Sequence, residues 1–433
     1  MQEEKTGFSR QLNKNIHLIK EGLHNTSDLI IRTLQIGVST HRHEVAIVYI
    51  DAIVNSQIIR DGIVTPLLNI QSNNDKENLI QNLAYCHIRS ESIQILQSVN
   101  ESLVGISGGK SIVLIDGYDS GIMVDTTEWQ QRSVETSIRQ SSTRGPAIGF
   151  SEQLKVNINL IRGYIQSENL CVEMKKVGRF TKSEVSIIYL NGKVDEIVLN
   201  EVRSRIDSLN IEYAFEPAVV QSALSGRKTI FSLTNVTELP DVAVSGLFEG
   251  KVVVIMNGTP QAIILPNLFI QYLQLPNDYY MKVGRFTNRI ALLICFLMTM
   301  LLPGFYLSII KFHENWVPKK FAEKYFSHGE TILPFFMEVS LLLFLVYILG
   351  LASFRIPKEM IVLSSLVGTL VISSTAVEAK LIHPLSLIII GTTYLTQLLF
   401  LSGGMSSATF TLRIIFPLSG PSVSHFLLIS HAI

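Results

Sequence analysis

One carboxylate stands where a charge is costly. Glu338 is the seventh residue of the run 332–354 and its one charged residue; nearly every other position there is apolar. Placing an ionised carboxylate at the centre of a bilayer costs about 3 kcal/mol on insertion scales, so the group has to face water or a protein neighbour. The chemistry that such a group suits is cation selection along a path through a membrane.

A neighbouring apolar run offers a polar surface to accompany that acid. In the run 360–377, a hydroxyl-bearing residue recurs at every fourth position, which puts the hydroxyls on one helical face, and Gly368 allows close helix packing. The candidate ion path consists of Glu338, Ser365, Thr369, Ser373 and Glu378. A structural alternative stays open, in which the hydroxyls and Gly368 only hold helices together and Glu338 lies near the interface or is protonated.

Other segments imitate catalytic or ligand-binding motifs without completing them. GISGGKS, residues 105–111, has its first glycine one position too close for a phosphate-binding loop and opens onto a strand, so it predicts a plain turn. HRH, residues 41–43, has no partner ligands at metal-binding spacing. Cys86, Cys171 and Cys295 are too far apart for a metal motif. We expect no catalytic site, no metal and no cofactor, and therefore no enzyme.

Two aspartates also resemble a catalytic pair. Asp116 belongs to an Asp-Gly step and Asp119 lies three residues further on, but a second, similar segment has Asn257 and Gln261 nearby instead. Paired carboxylates for acid–base work would need both groups. The two aspartates are better explained as residues of a tight hairpin turn.

That similar segment belongs to an internal repeat. GFSRQLNKNIHLI at residues 7–19 returns as GFSEQLKVNINLI at 149–161, an offset of 142. Further along, EVAIVYI at 44–50 corresponds to EVSIIYL at 184–190, and GKSIVLIDG at 109–117 corresponds to GKVVVIMNG at 250–258, at nearly the same offset. The segments 7–19 and 149–161 have helical spacing, and the later pairs of segments carry β-rich runs and hairpin signals. This pattern predicts two tandem, duplicated α/β units. Their predicted bounds are 1–143 and 144–280, with a linker near residue 143.

The remainder of the chain has the composition of a membrane region. The sequence contains 36 basic and 36 acidic residues, of which only 14 follow Arg289. We predict a helical transmembrane region over 281–433 with four to five spans, at 290–310, 332–354, 360–377, 384–401 and, more weakly, 412–433. Pro303 and Gly304 predict a kink or break in the first span. The balanced charge argues against a nucleic-acid partner, and the amino terminus lacks a secretory signal pattern, so we expect the N-terminal region to be cytosolic.

Several ordered motifs resemble one protein family. They are RGP at 144–146, LPDVAVSGLFEGKVVVIMNGTP at 239–260, LPNDYY at 275–280, LPGFYLSIIKFH at 302–313, PFFMEVS at 334–340 and STAVEA at 374–379. Together they make the chain similar to the A subunits of bacterial spore germinant receptors, the GerA family. Relatives continue with a further span after the segment that matches Arg413 to Pro417, so the resemblance implies a membrane region that is short at its carboxyl end.

The resemblance implies a function as well as a fold. It implies a multi-pass protein of the spore inner membrane, partnered by a transporter-like B subunit and a lipoprotein C subunit, which turns nutrient binding into ion release. It also implies a homo-oligomer that forms the ion path, with Glu338 at the family's membrane glutamate position. Two alternatives remain at this point: a nutrient or solute transporter, and a non-conducting scaffold subunit of the receptor.

Overall fold

The computed structural model describes residues 7–37, 42–70, 79–129, 148–226, 231–274, 285–312, 332–353, 373–399 and 409. Its contacts divide the chain into two compact units, Met1–Asn267 and Leu268–Ile433. The boundaries predicted near residues 143 and 280 both fall outside the described residues.

The first unit begins with an α/β repeat built on a five-stranded sheet. Its main elements are helix α1 (Leu12–Gly22), strands β1 (Leu29–Ile36), β2 (His43–Ile50) and β3 (Ile93–Leu96), helix α2 (Val99–Ser107), and strands β4 (Lys110–Ile115) and β5 (Gly121–Asp125). Short helical turns over 51–68 and 79–87 connect β2 to β3. The strand order is β1-β2-β4-β5-β3, and neighbouring strands are antiparallel.

The second repeat builds an equivalent sheet. Its elements are α3 (Leu154–Tyr164), β6 (Leu170–Val177), β7 (Ser183–Leu190), α4 (Glu196–Asp207), α5 (Pro217–Ser225), β8 (Asn235–Thr237), α6 (Pro240–Phe248), β9 (Val252–Met256) and β10 (Ala262–Leu265). The order β6-β7-β9-β10-β8 matches that of the first sheet strand for strand. The predicted α/β architecture of the N-terminal region is confirmed, and the matching order agrees with duplication.

The repeated GFS word has the same structural role in both repeats. The Asn15 side chain accepts from the Ser9 amide at 2.8 Å and donates to the Ser9 carbonyl at 2.6 Å. Asn157 makes the same two bonds to Ser151, at 2.8 and 2.6 Å. Each asparagine therefore closes the turn that leads the chain into its helix.

The hairpin residue between the two central strands secures the start of that helix. Asp116 Oδ1 accepts from the Leu12 amide at 3.1 Å, and Asn257 Oδ1 accepts from the Leu154 amide at 3.0 Å. An acid and an amide serve equally because the donor, an otherwise unpaired amide in the first turn of a helix, needs only an oxygen. The hairpin interpretation of Asp116 therefore accounts for this side chain without catalysis.

The two repeats share one apolar core. Helices α1, α2, α3 and α6 pack with one face of each sheet in a single cluster of buried side chains. The opposite face of the first sheet packs against the segments 51–68 and 79–87, and that of the second against α4 and α5. Because the central cluster draws on both repeats, neither repeat buries its inner face alone.

A buried ion pair ties the repeats together inside that core. Arg162 on α3 is 1% exposed and Asp28, just before β1, is 8% exposed. Arg162 Nε donates to Asp28 Oδ2 at 2.7 Å, and its Nη2 donates to Asp28 Oδ1 at 2.9 Å. The Thr26 hydroxyl donates to the same carboxylate at 2.6 Å. This bidentate geometry satisfies both carboxylate oxygens away from water.

The second unit is helical where it is described. Its three longer helices are α7 (Arg285–Phe312), α8 (Phe335–Ser353) and α9 (Pro384–Leu398), with short helices at Phe269–Tyr272 and Ser373–Glu378. Helix α7 continues through Pro303 without the break that the sequence allowed. Proline removes one backbone hydrogen bond from a helix, and the turns on both sides can hold the helix together.

These helices test the predicted spans only in part. Among the described residues, one helix, Arg285–Ile310, is long and apolar enough to cross a membrane, which on its own is weak support for a membrane protein. Phe335–Ile348 and Pro384–Leu398 are shorter apolar helices. Most of the predicted span 360–377 and all but one residue beyond 399 lie outside the described part of the chain. The four-to-five-span topology therefore stays a prediction.

Candidate functional site

The acid in the apolar run lies in the first turn of α8 and is buried. Pro334 precedes the helix, and its carbonyl accepts from the Glu338 amide at 3.0 Å, which forms the opening turn. The Glu338 side chain is 0% exposed in the structure. The requirement that this carboxylate face a protein neighbour is therefore met within its own chain.

Two groups at the start of α9 bind the carboxylate. Glu338 Oε1 accepts from the His383 backbone amide at 3.2 Å, and Oε2 accepts from the Ser386 hydroxyl at 2.9 Å. The Ser386 hydroxyl also lies 3.0 Å from the Tyr306 hydroxyl on α7. We call these four residues, Glu338, His383, Ser386 and Tyr306, the Glu338 clasp. It connects all three of the longer helices of the second unit.

Local sequence explains why α9 starts at the clasp. Pro384 occupies the first turn, where a missing amide hydrogen costs nothing. His383 caps the helix through its side chain, whose Nδ1 accepts from the Leu385 amide at 3.2 Å. The amino end of a helix carries partial positive charge, so a carboxylate is favourable there. Glu338 supplies that carboxylate from a different helix.

Aromatic rings cover the clasp. The Phe335 ring lies 5.9 Å from the His383 ring and 6.5 Å from the Tyr306 ring, both in edge-to-face arrangements. Val339 and Ile310 are buried in the apolar cluster around them. Hydrogen bonds in such a poorly hydrated setting are stronger than in water, and leaving one unmade is costlier.

A second polar contact joins α7 and α9 further along. The Thr299 hydroxyl lies 2.8 Å from the Thr396 hydroxyl, and both Thr299 and Thr393 are fully buried. Ser386, Thr393 and Thr396 share one face of α9, since they are separated by about two and three helical turns. This stripe lies in the predicted span 384–401 but was not itself predicted. The spacing of its hydroxyl residues was the available signal.

The structure brings only part of the predicted ion path into view. Glu338 is buried in the clasp, whereas Glu378 is exposed at the end of the short helix that Ser373 begins. Ser365 and Thr369 lie outside the described residues. In the described part of the chain, the hydrogen-bond partners of the Glu338 carboxylate are His383 and Ser386, and Glu378 is not among them. Alignment of the five predicted residues along one path stays a prediction.

Two features of the first unit that could suggest chemistry, the segment 105–111 and the thiol of Cys171, are explained by the fold around them. Residues 105–111 run from the end of α2 into β4, in agreement with the predicted turn. Burial raises the pKa of the Cys171 thiol to about 11, outweighing a hydrogen bond with Tyr189 and the nearby Arg162 charge, which lower it. A thiol of that pKa stays protonated and unreactive at neutral pH.

Comparisons with known proteins agree with the motifs. The family described as "Bacillus/Clostridium GerA spore germination protein" matches residues 17–427. Spore germination protein KA of Bacillus subtilis is 30% identical over 412 residues, which cover 94% of this chain and 75% of the relative. Spore germination protein B1 of the same organism is 28% identical over 390 residues, covering 89% of this chain and 80% of that protein.

A solved structure is also similar to part of the chain. The crystal structure of the N-terminal domain of the A subunit of the Bacillus megaterium spore germinant receptor GerK3 aligns with a TM-score of 0.47 and 27% identity. That alignment covers 62% of this chain and 100% of the solved chain. With a family match over nearly its whole length, the chain belongs to the GerA spore germination family.

Proposed function

We propose that this chain is a membrane subunit of a nutrient germinant receptor and transmits nutrient binding into ion release. In this proposal it resides in the spore inner membrane as a multi-pass protein with a cytosolic N-terminal region. It works with a transporter-like B subunit and a lipoprotein C subunit, and several copies form the cation path. The chain catalyses no reaction in this scheme.

The Glu338 clasp is the observation that carries the proposal. Its carboxylate is fully buried, yet both donors that reach it are neutral groups: a backbone amide and a hydroxyl. Water can replace either donor if the helices separate, whereas it cannot enter while α7, α8 and α9 are packed together. The carboxylate is therefore a group that can be covered in one arrangement of the helices and exposed to cations in another.

Transmission requires two arrangements that differ by only a few kcal/mol. In the closed arrangement, the start of α9 covers Glu338. A nutrient-bound partner would favour the open arrangement by moving α9 away from α8, which uncovers the carboxylate to ions. Breaking two hydrogen bonds that water replaces costs an amount of that order, about 1 kcal/mol for each net bond.

Potassium flux from liposomes tests the proposal. We expect the reconstituted full chain to pass K⁺, and Glu338→Gln, which keeps the size but not the charge, to change the flux at least tenfold. Thr392→Val offers a control, because in the described part of the chain that hydroxyl donates to the Ile388 carbonyl of its own helix, and it is expected to leave the flux unchanged.

The same measurement separates the alternatives. Vesicles that contain an assembled oligomer but pass no K⁺ would rule out conduction by this chain alone and favour the non-conducting scaffold. Equal flux in wild type and Glu338→Gln would remove the carboxylate from the mechanism. Saturable uptake of amino acids or sugars by the chain alone would favour the transporter.

A further inference from the structure

Three consecutive apolar side chains are exposed near the start of the second unit. Leu268, Phe269 and Ile270 are 60%, 39% and 50% exposed in the described part of the chain. They lie at the beginning of the short helix Phe269–Tyr272, which precedes α7. We call these three residues the apolar tip. Large apolar side chains that are exposed side by side mark an interaction surface, whereas single ones are common on any protein.

The turn that carries the apolar tip pairs polar groups of its own backbone. The Leu268 amide donates to Gln271 Oε1 at 2.9 Å, and the Leu268 carbonyl accepts from the Gln271 amide, also at 2.9 Å. The Ile270 carbonyl accepts from the Leu273 amide at 3.2 Å, and the Leu273 side chain is buried. Lipid offers backbone groups no hydrogen-bond partner, so pairing them within the protein lowers the cost of placing the turn in lipid.

A ring contact fixes the level of the apolar tip along α7. The Phe269 ring lies 5.3 Å from the Phe296 ring, in an edge-to-face arrangement. Phe296 follows Arg289 by seven residues, which is about 10 Å along the helix axis. A helical side chain points toward the amino end of its helix, so the Phe296 ring itself lies somewhat nearer to Arg289. The apolar tip is therefore level with the first two turns that follow Arg289.

Those two turns begin the apolar part of α7. Arg289 is the last charged residue before 290–310, where no residue is charged, and arginines at the end of an apolar helix suit the lipid headgroup region. Exposed apolar side chains recur at helical spacing on one face of this part of α7, at Phe286, Ile290, Leu293, Ile294 and Leu297. Phe296, which contacts the apolar tip, is three residues from Leu293 and thus its neighbour on the helix surface. The tip therefore adjoins a helix face that is suited to lipid.

The residues around the apolar tip also favour lipid over a protein partner. The segment 261–277 contains no charged residue. Charges around a contact are what largely select a protein partner, and this segment supplies none. Its polar side chains next to the tip are instead the amide of Gln271 and the phenol of Tyr272, and tyrosine is enriched where proteins meet the headgroups of a bilayer.

We infer that the apolar tip inserts into the boundary between the headgroups and the acyl chains of the bilayer, beside α7. With Arg289 at the headgroups, the tip reaches about 5–10 Å below them, which is the depth at which interfacial segments bury their apolar residues. The inference rests on the membrane location of α7 in the proposed function. It adds a lipid contact outside every predicted span, and it requires no particular conductance.

Quenching of tryptophan fluorescence by brominated lipids tests the insertion. The full chain carries Trp129→Phe and Trp316→Phe, which remove both native tryptophans, together with Leu268→Trp, and is reconstituted into phosphatidylcholine vesicles. We expect bromines near the headgroup end of the acyl chains to quench Leu268→Trp several-fold more than they quench Ile197→Trp in the same background. Ile197 is the control because it is an apolar residue of the first unit that is 80% exposed on α4. Bromines near the ends of the acyl chains should quench Leu268→Trp less.

A tryptophan on α7 separates this inference from the proposed function. Ile294 is 52% exposed on the apolar face of α7, so Ile294→Trp reports whether that helix lies in lipid. Quenching of Ile294→Trp without quenching of Leu268→Trp would overturn the inference and leave α7 in the membrane. Absence of quenching at both positions would overturn the membrane location as well.

The emission wavelength distinguishes lipid from a protein partner. If Leu268→Trp emits at the short wavelength of a buried tryptophan but is not quenched by either brominated lipid, a protein surface covers the apolar tip and the inference is wrong. Ile270→Trp is a second variant at the same tip and should repeat the Leu268→Trp result, since Ile270 is also half exposed.

Discussion

Each of the two units of this chain contains a buried acid, and the two acids are stabilised in different ways. Asp28, in the first unit, is paired with the Arg162 guanidinium through two charge-assisted hydrogen bonds. Glu338, in the second, accepts from an amide and a hydroxyl, and no ion pair of Glu338 occurs among the described residues. The charge of Asp28 is balanced by the adjacent Arg162 guanidinium. Glu338 depends on neutral donors and the start of a helix.

The difference indicates which contacts can move. Separating Asp28 from Arg162 leaves two uncompensated charges in an apolar core, so the repeats are expected to stay joined throughout the protein's cycle. Separating Glu338 from α9 exposes one carboxylate that incoming water or a cation can satisfy. The first unit is thus suited to be a stable platform and the second to contain the movable joint.

The largest effect is expected from breaking the buried ion pair. Arg162→Met leaves Asp28 buried without its partner and should lower the free energy of unfolding of the first unit by about 3–5 kcal/mol. Unfolding can be followed by the fluorescence of Trp129, which packs against the shared core, in a Trp316→Phe background. Adding Asp28→Leu should recover most of the loss, because it removes the isolated charge.

An exposed pair provides the control for that measurement. Lys155 and Asp51 also bridge the repeats, with 2.8 Å between Nζ and Oδ2, but their side chains are 53% and 43% exposed. Lys155→Met should cost less than about 1 kcal/mol, because water already screens that pair. Equal losses from Arg162→Met and Lys155→Met would show that burial does not distinguish the two pairs.

A smaller effect is expected from removing one hydrogen-bond donor of the Glu338 clasp. Ser386→Ala removes one donor to Glu338 and the hydroxyl beside Tyr306, which should lower the stability of the detergent-solubilised second unit by about 1 kcal/mol. It should also raise K⁺ flux, because the covered state loses a contact that the open state lacks. Thr392→Val is the control, since among the described residues that hydroxyl donates to the Ile388 carbonyl of its own helix, at 2.8 Å, and to no other helix. A lower flux in Ser386→Ala would contradict the clasp as a closed-state contact.

Much of the first unit could be predicted because its signals are local and doubled. The GFS motif and the β-rich runs occur in both repeats, and the Asp-Gly step of the first repeat corresponds to the Asn-Gly step of the second. The GFS motif and these steps fix a turn or a helix start through hydrogen bonds within the repeat. The Arg162–Asp28 pair could not be found this way. Its members are 134 positions apart and neither stands at a motif, so only the packing of one repeat on the other reveals it.

The candidate site could be predicted in part for a similar reason. The cost of burying a charge singled out Glu338 from its neighbours alone. The regular hydroxyl spacing of the run 360–377 predicted a polar surface there to accompany Glu338, but the described partners of Glu338 lie at the start of α9. One of these partners is the backbone amide of His383, which a pattern of side chains cannot predict.

The last prediction concerns an ion pair whose exposure lies between those of the Arg162–Asp28 and Lys155–Asp51 pairs. Glu173 on β6 and Arg203 on α4 are 23% and 30% exposed, and Arg203 Nε donates to Glu173 Oε2 at 3.1 Å. Burial alone would raise the pKa of Glu173, but hydrogen bonds from Arg203 and Tyr189 and the Arg203 charge hold that pKa below its usual value. The pair therefore favours the folded state only while the carboxylate is ionised.

The sign of the pH dependence follows from that lowered pKa. The stabilisation is fully present above the unfolded-state carboxyl pKa of about 4.3 and disappears as the pH falls through the folded-state value. Glu173→Gln should cost about 1 kcal/mol at pH 7 and progressively less in acid, as measured by Trp129 fluorescence in the Trp316→Phe background. Glu184→Gln, an exposed neighbour on β7, should show no such convergence. A constant difference in unfolding free energy between wild type and Glu173→Gln down to pH 3 would mean that packing, not charge, accounts for the contribution of Glu173. The Glu173–Arg203 pair could then no longer be compared with the other two ion pairs.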